Sequence, residues 1–270
     1  MAAVPRFAAH RGGASLWPEN TLAAFAGALA LGIDLLELDA HLSADGEVVV
    51  IHDATLERTT EGTGTVGAST AVALRRLRVR ARDGALTDEH VPLLDDVLGL
   101  AASAGAELLL EIKGPSFSAR YGRGGAGQLE IVPGPVYEGL EERVLARLDA
   151  AGMRAHATIM AFNPAVIETV RTLAPSQRTT LLVSRNAVAC AAARATDTIE
   201  WAGRLGVSDL GLEHTLIDAD VVAAAHARGL RLGAWTPNDE GALRHLAALG
   251  VDVITTDRPD LAVRMCDAAR

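Results

Sequence analysis

Short apolar runs and longer amphipathic stretches alternate along this chain. The runs are Arg6–Arg11, Leu35–Leu42, Glu107–Lys113, Ala157–Phe162, Arg178–Ser184, Asp209–His214, Arg231–Thr236 and Val251–Thr256. Their length and apolar content predict strands. Ala/Leu-rich stretches with helical spacing follow them: Asn20–Leu31, Leu93–Ala102, Leu140–Ala151, Pro164–Leu173, Thr196–Leu205, Ala219–Ala227, Asp239–Leu249 and Pro259–Ala269. Alternating strands and helices predict a parallel sheet, and about eight such units predict a closed (β/α)8 TIM barrel of one α/β domain. Local signals agree. Asn20, Asn163 and Asp257 read as helix N-caps, and a proline follows closely after Asn163 and Asp257.

Two segments break the rhythm. Val48–His52 has the apolar character of a strand, but only Ala44-Asp45-Gly46 separates it from the preceding one. So short a turn makes an antiparallel hairpin, because parallel neighbours need a long crossover. The run is therefore placed outside the barrel wall, folding back so that His52 returns to the mouth. Residues 44–92 then form an insertion in the second βα connection. Within it, ALRRLRVRARDG reads as the solvated face of a helix. The second segment, 114–137, is too long for an ordinary βα connection. It starts at the mouth and reads as a substrate-covering lid, with a surface loop or a subunit contact as the alternative.

Charge and composition narrow the partners. The 270 residues carry a formal net charge of −9 and are 49% hydrophobic, which fits a compact globular protein. Nucleic acid and anionic membranes want a basic footprint, so neither is expected as a stable partner. A small anionic substrate needs only a local basic pocket. The amino-terminal MAAVPRF has no apolar targeting core, and no run approaches the ~20 residues of a membrane span. A cytoplasmic location is expected. Cys190 and Cys266 lack metal or redox spacing and read as buried or partly buried thiols outside any disulfide.

Strand periodicity places the chemistry. Leu35, Glu37, Asp39 and His41 share one face, while Leu36, Leu38, Ala40 and Leu42 share the other. The wholly apolar face must meet the outer helices, so Glu37 and Asp39 look into the barrel near its C-terminal end, where barrel enzymes act. Leu109, Glu111 and Lys113 repeat the pattern. Three carboxylates converging on one mouth repel unless a cation sits between them. All-oxygen ligation selects a hard divalent ion, Mg²⁺ or Ca²⁺. His10 and His52 are the natural proton-transfer pair, and Arg11 and Lys113 suit phosphate oxygens. His41 is a supporting group on the metal face. His90, His156, His226 and His245 read as helix or loop histidines with no part in the site.

The stretches AHRGG, PENTLAAF, ELDAHLSADGEVVVIHD, ERTTEGTG, VPLLDDVL, LLLEIK, GLRLGAWTPND and ITTDRPD, in this order, resemble the glycerophosphodiester phosphodiesterase family. The resemblance spans almost the whole chain. It implies a (β/α)8 barrel with a small insertion after the second strand, one divalent cation, and hydrolysis of glycerophosphodiesters to sn-glycerol 3-phosphate and an alcohol. By the same resemblance, His10 and His52 are the general acid and base, and Glu37, Asp39 and Glu111 are the metal ligands. Arg11 and Lys113 contact the phosphate, and Trp235 walls the glycerol or alcohol side, with barrel packing as the alternative account. Glu213, by its strand face shared with Gly211 and not by the resemblance, is expected as a polar contact to the glycerol hydroxyls. The nucleophile is water, or a neighbouring substrate hydroxyl that forms a cyclic phosphate. Three other readings stand beside this one: a lysophospholipase D-like enzyme with a wider apolar mouth, a catalytically silent barrel that only binds glycerophosphodiesters, and a phosphosugar isomerase, which would not need three metal-type carboxylates.

Overall fold

The computed structural model describes residues 4–123, 125 and 129–268. Eight strands form a parallel barrel: β1 (Arg6–Ala9), β2 (Leu35–Leu42), β3 (Glu107–Ile112), β4 (Ala157–Ala161), β5 (Thr179–Val183), β6 (Asp209–Glu213), β7 (Arg231–Trp235) and β8 (Val253–Thr256). Each pairs with the next in sequence, and β1 closes the circle by pairing with both β2 and β8. The crossover helices are α1 (Leu22–Ala30), α2 (Leu94–Ala104), α3 (Leu140–Ala150), α4 (Pro164–Leu173), α5 (Asp197–Leu205), α6 (Ala219–Ala227), α7 (Glu240–Leu249) and α8 (Pro259–Ala268). The outward faces of the strands carry Leu36, Leu38, Leu108, Leu110, Ile159 and Leu181, which join helix side chains in the main core. Each such leucine or isoleucine, fully buried, stabilises the fold by about 1.5–3 kcal/mol. No helix among the described residues is long and apolar enough to cross a membrane.

Several predicted boundaries move. β1 ends at Ala9, and His10–Gly12 form a 3-10 turn in which Arg11 is left-handed (φ 51°). That conformation costs a non-glycine residue about 1–2 kcal/mol. Gly12 follows at φ 83°, where a Cβ would stand 2.6 Å from the Ala24 Cβ, so the turn closes against α1 only because residue 12 has no side chain. Helix α1 is capped by Thr21, whose hydroxyl accepts from the Ala24 N–H, and not by Asn20.

Val48–Val50 pairs antiparallel with β2, as the short turn requires. The arginine-rich stretch is not a helix face. One helical turn, Ala71–Leu74, leads into an antiparallel hairpin of Arg78–Arg80 with Leu86–His90. Val79 is buried between two outward arginines, the period of a strand and not of a helix. Val79 belongs to a small core of Val49, Ile51, Leu56, Val66, Leu74, Val79 and Val91, distinct from that of the barrel.

Segment 114–137 is also a hairpin, Ala119–Arg123 with Leu129–Pro133. Residues 124 and 126–128 of the expected lid, and Ala269 of the last expected helix, lie outside the described residues. The Tyr121 ring packs 5.0 Å from Trp201 of α5, and Arg123 donates to the Ala192 carbonyl at 2.6 Å. The hairpin thus leans on the β5–α5 connection. Cys190, expected at least partly buried, is exposed on a short helix of that connection, and Cys266 is half-buried.

Candidate active site

The inward faces of the strands enclose a cavity of about 160 Å³ along the barrel axis. Its floor is the N-terminal end, closed by ion pairs such as Arg6–Glu107 at 2.9 Å and Arg178–Asp209 at 3.2 Å. At its mouth stand His10, Arg11, Glu37, His52, Glu111 and Lys113.

The β2–β3 register sets the carboxylates, because Asp39 lies directly opposite Glu111 and Glu37 is one inward position earlier. All three are buried, and one oxygen from each falls within 4.8 Å of the others. At an effective dielectric of about 20, two unit charges about 5 Å apart repel by roughly 3 kcal/mol. Burial, reinforced by the charge of Asp39, pushes the Glu37 carboxyl up to about 7. Burial also works against ionised Asp39, but Lys113 and Arg11 outweigh it and hold that carboxyl well below its ordinary value. The Lys113 ammonium bridges Asp39 Oδ1 at 3.0 Å and Glu111 Oε1 at 2.6 Å. The first contact is an ion pair without hydrogen-bond geometry, which leaves Asp39 Oδ1 with no hydrogen-bond partner among the described residues. Three converging oxygen donors, with Asp39 Oδ1 unsatisfied and Glu37 pushed up by burial and the neighbouring carboxylates, fit a hard divalent cation.

The two histidines are built alike. His10 Nδ1 meets Asp257 Oδ1 at 2.6 Å, and His52 Nδ1 meets Asp53 Oδ1 at 2.5 Å. A carboxylate only accepts, so each Nδ1 carries the proton and each Nε2 is left for chemistry. His10 Nε2 lies 3.9 Å from Glu37. Burial would lower the His10 imidazole, but the Glu37 charge and the Asp257 hydrogen bond raise it above its ordinary value. Asp257 is itself oriented by the Asn238 side chain at 2.7 Å.

Arg11 is turned inward. Its backbone N–H donates to Glu37 Oε2 at 2.9 Å, and its guanidinium pairs with Glu19 at 2.9 Å and Asp39 at 3.2 Å. The left-handed turn at Arg11 accompanies this arrangement, in which backbone and side chain address different carboxylates. Trp235 lines the cavity, with its ring 5.4 Å from that of Phe162 and its indole N–H on the Gly211 carbonyl. Glu213 does not line it. Its carboxylate accepts from the Arg185 N–H at 2.9 Å. No described residue of hairpin 119–133 lines the cavity either.

Several supporting residues escaped the sequence reading. Asn20, buried with φ 58°, donates to Asp39 Oδ2 at 2.8 Å. The signal was two adjacent cap-type residues, Asn20-Thr21, where a helix needs one. Asp257 likewise fitted a cap pattern. His41 does stand behind the site. Its Nε2 meets the His52 carbonyl at 3.0 Å and its Nδ1 meets the Tyr137 hydroxyl at 3.1 Å. The carbonyl only accepts, so Nε2 donates and Tyr137 donates to Nδ1. Burial, the main cause, lowers His41 to about 4, consistent with that neutral form. Arg58 clamps Glu19 (2.8 Å) and Asp53 (2.5 Å), tying the insertion to the loop after β1.

Comparison with known proteins agrees with this geometry. The sequence pattern of the glycerophosphoryl diester phosphodiesterase family matches residues 10–261. The chain is 30% identical over 263 residues to a glycerophosphodiester phosphodiesterase of Bacillus altitudinis, covering 95% of this chain and 96% of that one. It is 29% identical over 258 residues to one of Caldanaerobacter subterraneus, with the same coverage. Among solved structures, a phosphodiesterase of Oleispira antarctica in complex with the product sn-glycerol-3-phosphate superposes with a TM-score of 0.76 at 26% identity, covering 98% of this chain and 97% of that one. Matched by the family pattern over residues 10–261 and by relatives along nearly its whole length, and carrying two Asp-backed histidines beside three convergent carboxylates, this chain belongs to the glycerophosphoryl diester phosphodiesterase family.

Proposed function

We propose that the protein hydrolyses glycerophosphodiesters to sn-glycerol 3-phosphate and an alcohol, with Glu37, Asp39 and Glu111 holding one Mg²⁺ or Ca²⁺. The observation that carries this reading is the meeting of those three carboxylates with His10 and His52 at one mouth. When bound, the cation supplies positive charge to the phosphodiester and to the charge that grows on it. Arg11 and Lys113 add fixed positive charge on the same side. One histidine takes the proton of the attacking hydroxyl or water through Nε2, and the other protonates the leaving oxygen. Asp257 and Asp53 hold the tautomers that make this exchange possible. Phe162 and Trp235 wall the cavity toward the organic part of the substrate. A compact substrate accords with the cavity volume.

Release of glycerol 3-phosphate from glycerophosphocholine tests the reading. We expect turnover that EDTA abolishes and Mg²⁺ or Ca²⁺ restores, and that Glu37→Gln lowers by at least about a hundredfold. Chelator-resistant turnover, or an active Glu37→Gln enzyme, would overturn it.

A further inference from the structure

A second concavity, about 500 Å³, opens from the mouth between the loop after β1 and the insertion. It shares His10 and Arg11 with the barrel cavity. A molecule whose reacting phosphate lies at the histidines can therefore extend one end into it. This groove is markedly basic for a chain of net charge −9. Four arginines, Arg11, Arg58, Arg80 and Arg82, line it against two carboxylates, Glu19 and Asp257.

Both carboxylates are already engaged. Glu19 pairs with Arg11 and Arg58, and Asp257 holds His10. Arg80 and Arg82 form no ion pair within 4 Å among the described residues, although Arg80 lies near enough to the exposed Glu61, which Arg78 already engages, to help lower that carboxyl. They are nevertheless held in place. Arg80 Nε donates to the Thr60 carbonyl at 2.9 Å and its Nη1 to the Gly84 carbonyl at 3.1 Å. Arg82 Nη1 donates to the Ser15 hydroxyl at 2.7 Å, across the groove's edge. Neutral acceptors fix a guanidinium without cancelling its charge. Two such guanidiniums on one hairpin leave the groove with positive charge that an anion would complete.

Which end of the substrate enters follows from its chemistry. Beyond the reacting phosphate, glycerol offers only hydroxyls, so a second anion must belong to the alcohol. We infer that the groove is a subsite for a second phosphate carried on the alcohol of a glycerophosphodiester. The inference rests on the function proposed above and adds to it a preferred class of substrate, a glycerophosphodiester of a phosphorylated polyol. The groove's volume falls in the range of small-molecule sites, about 300–1,000 Å³.

The test compares glycerophosphoinositol with glycerophosphoinositol 4-phosphate, which differ only in the second phosphate, at fixed Mg²⁺. Wild type should show the higher kcat/KM on the phosphorylated substrate, with the preference shrinking as salt rises. Arg82→Gln, a change at an exposed position, should lower kcat/KM on that substrate about tenfold, the equivalent of about 1.4 kcal/mol, and alter the unphosphorylated one less than twofold. Arg80→Gln with Arg82→Gln should abolish the preference. A wild type without preference would overturn the subsite, as would Arg82→Gln acting equally on both substrates. Cleavage of neither substrate, nor of glycerophosphocholine, would instead overturn the underlying activity and the subsite with it.

Discussion

Each catalytic candidate depends on a neighbour that fixes its state. His10 has Asp257, His52 has Asp53, Asp39 has Asn20, and the backbone of His52 has His41. Replacing Asp257 by Asn removes the acceptor that fixes the proton on Nδ1 while nearly preserving shape. Turnover of glycerophosphocholine should fall by at least about a hundredfold with little change in KM, and a kcat within a few-fold of wild type would show that the pairing is incidental. Sequence reasoning reached Glu37, Asp39 and Glu111 because strand alternation admits one inward face, and the other face was wholly apolar. It missed Asn20 and Asp257 because a polar residue ahead of a helix is explained equally well by capping. Nothing local separates a side chain turned to the helix from one turned to the barrel.

Among elements, the eight βα units were legible because each strand is a compact apolar run and each crossover is long. The insertion was less so. Its arginines alternate around one buried valine, Val79, too short a pattern to distinguish strand from helix without the small core it joins. Arg58, between Glu19 and Asp53, ties this insertion to the barrel loop by charge, beside the Arg82–Ser15 hydrogen bond. The His52 hydrogen bond, with Arg58 added, outweighs burial and holds Asp53 below its ordinary value. Burial opposes ionised Glu19, but Arg58 and Arg11 outweigh it in the same direction. Carboxyls lowered by folding stabilise the native state fully above their unfolded values near 4, and that stability is lost as pH falls through the folded values. Urea midpoints should therefore drop as pH is lowered below about 4, and should drop less in Arg58→Gln. Equal acid sensitivity in the two proteins would show that the clamp adds nothing.

The whole molecule joins two hydrophobic cores through one site. The barrel core carries His10 and the three carboxylates and also takes in Val48 and Val50, whereas the seven-residue core of the insertion, with Val49 and Ile51, backs the other face of the strand that brings His52 to the mouth. So small a core stabilises its own unit by much less than the barrel's, and such a unit opens by local unfolding at a lower free energy than the whole. Trp201 and Trp235 lie in the barrel away from the insertion, whereas Trp17 lines the groove that the insertion walls, so in a Trp17→Phe variant tryptophan emission follows the barrel alone. Along a urea titration of that variant, hydrolysis should vanish at concentrations where emission is still native, and hydrogen exchange should find residues 54–91 open first. Coincident loss of activity and emission would mean that the insertion and the barrel melt as one. Because His52 and its partner Asp53 lead directly into the part that the small core holds, the protein would have an intrinsic off-state in which the barrel stays folded and the proposed acid–base pair is parted.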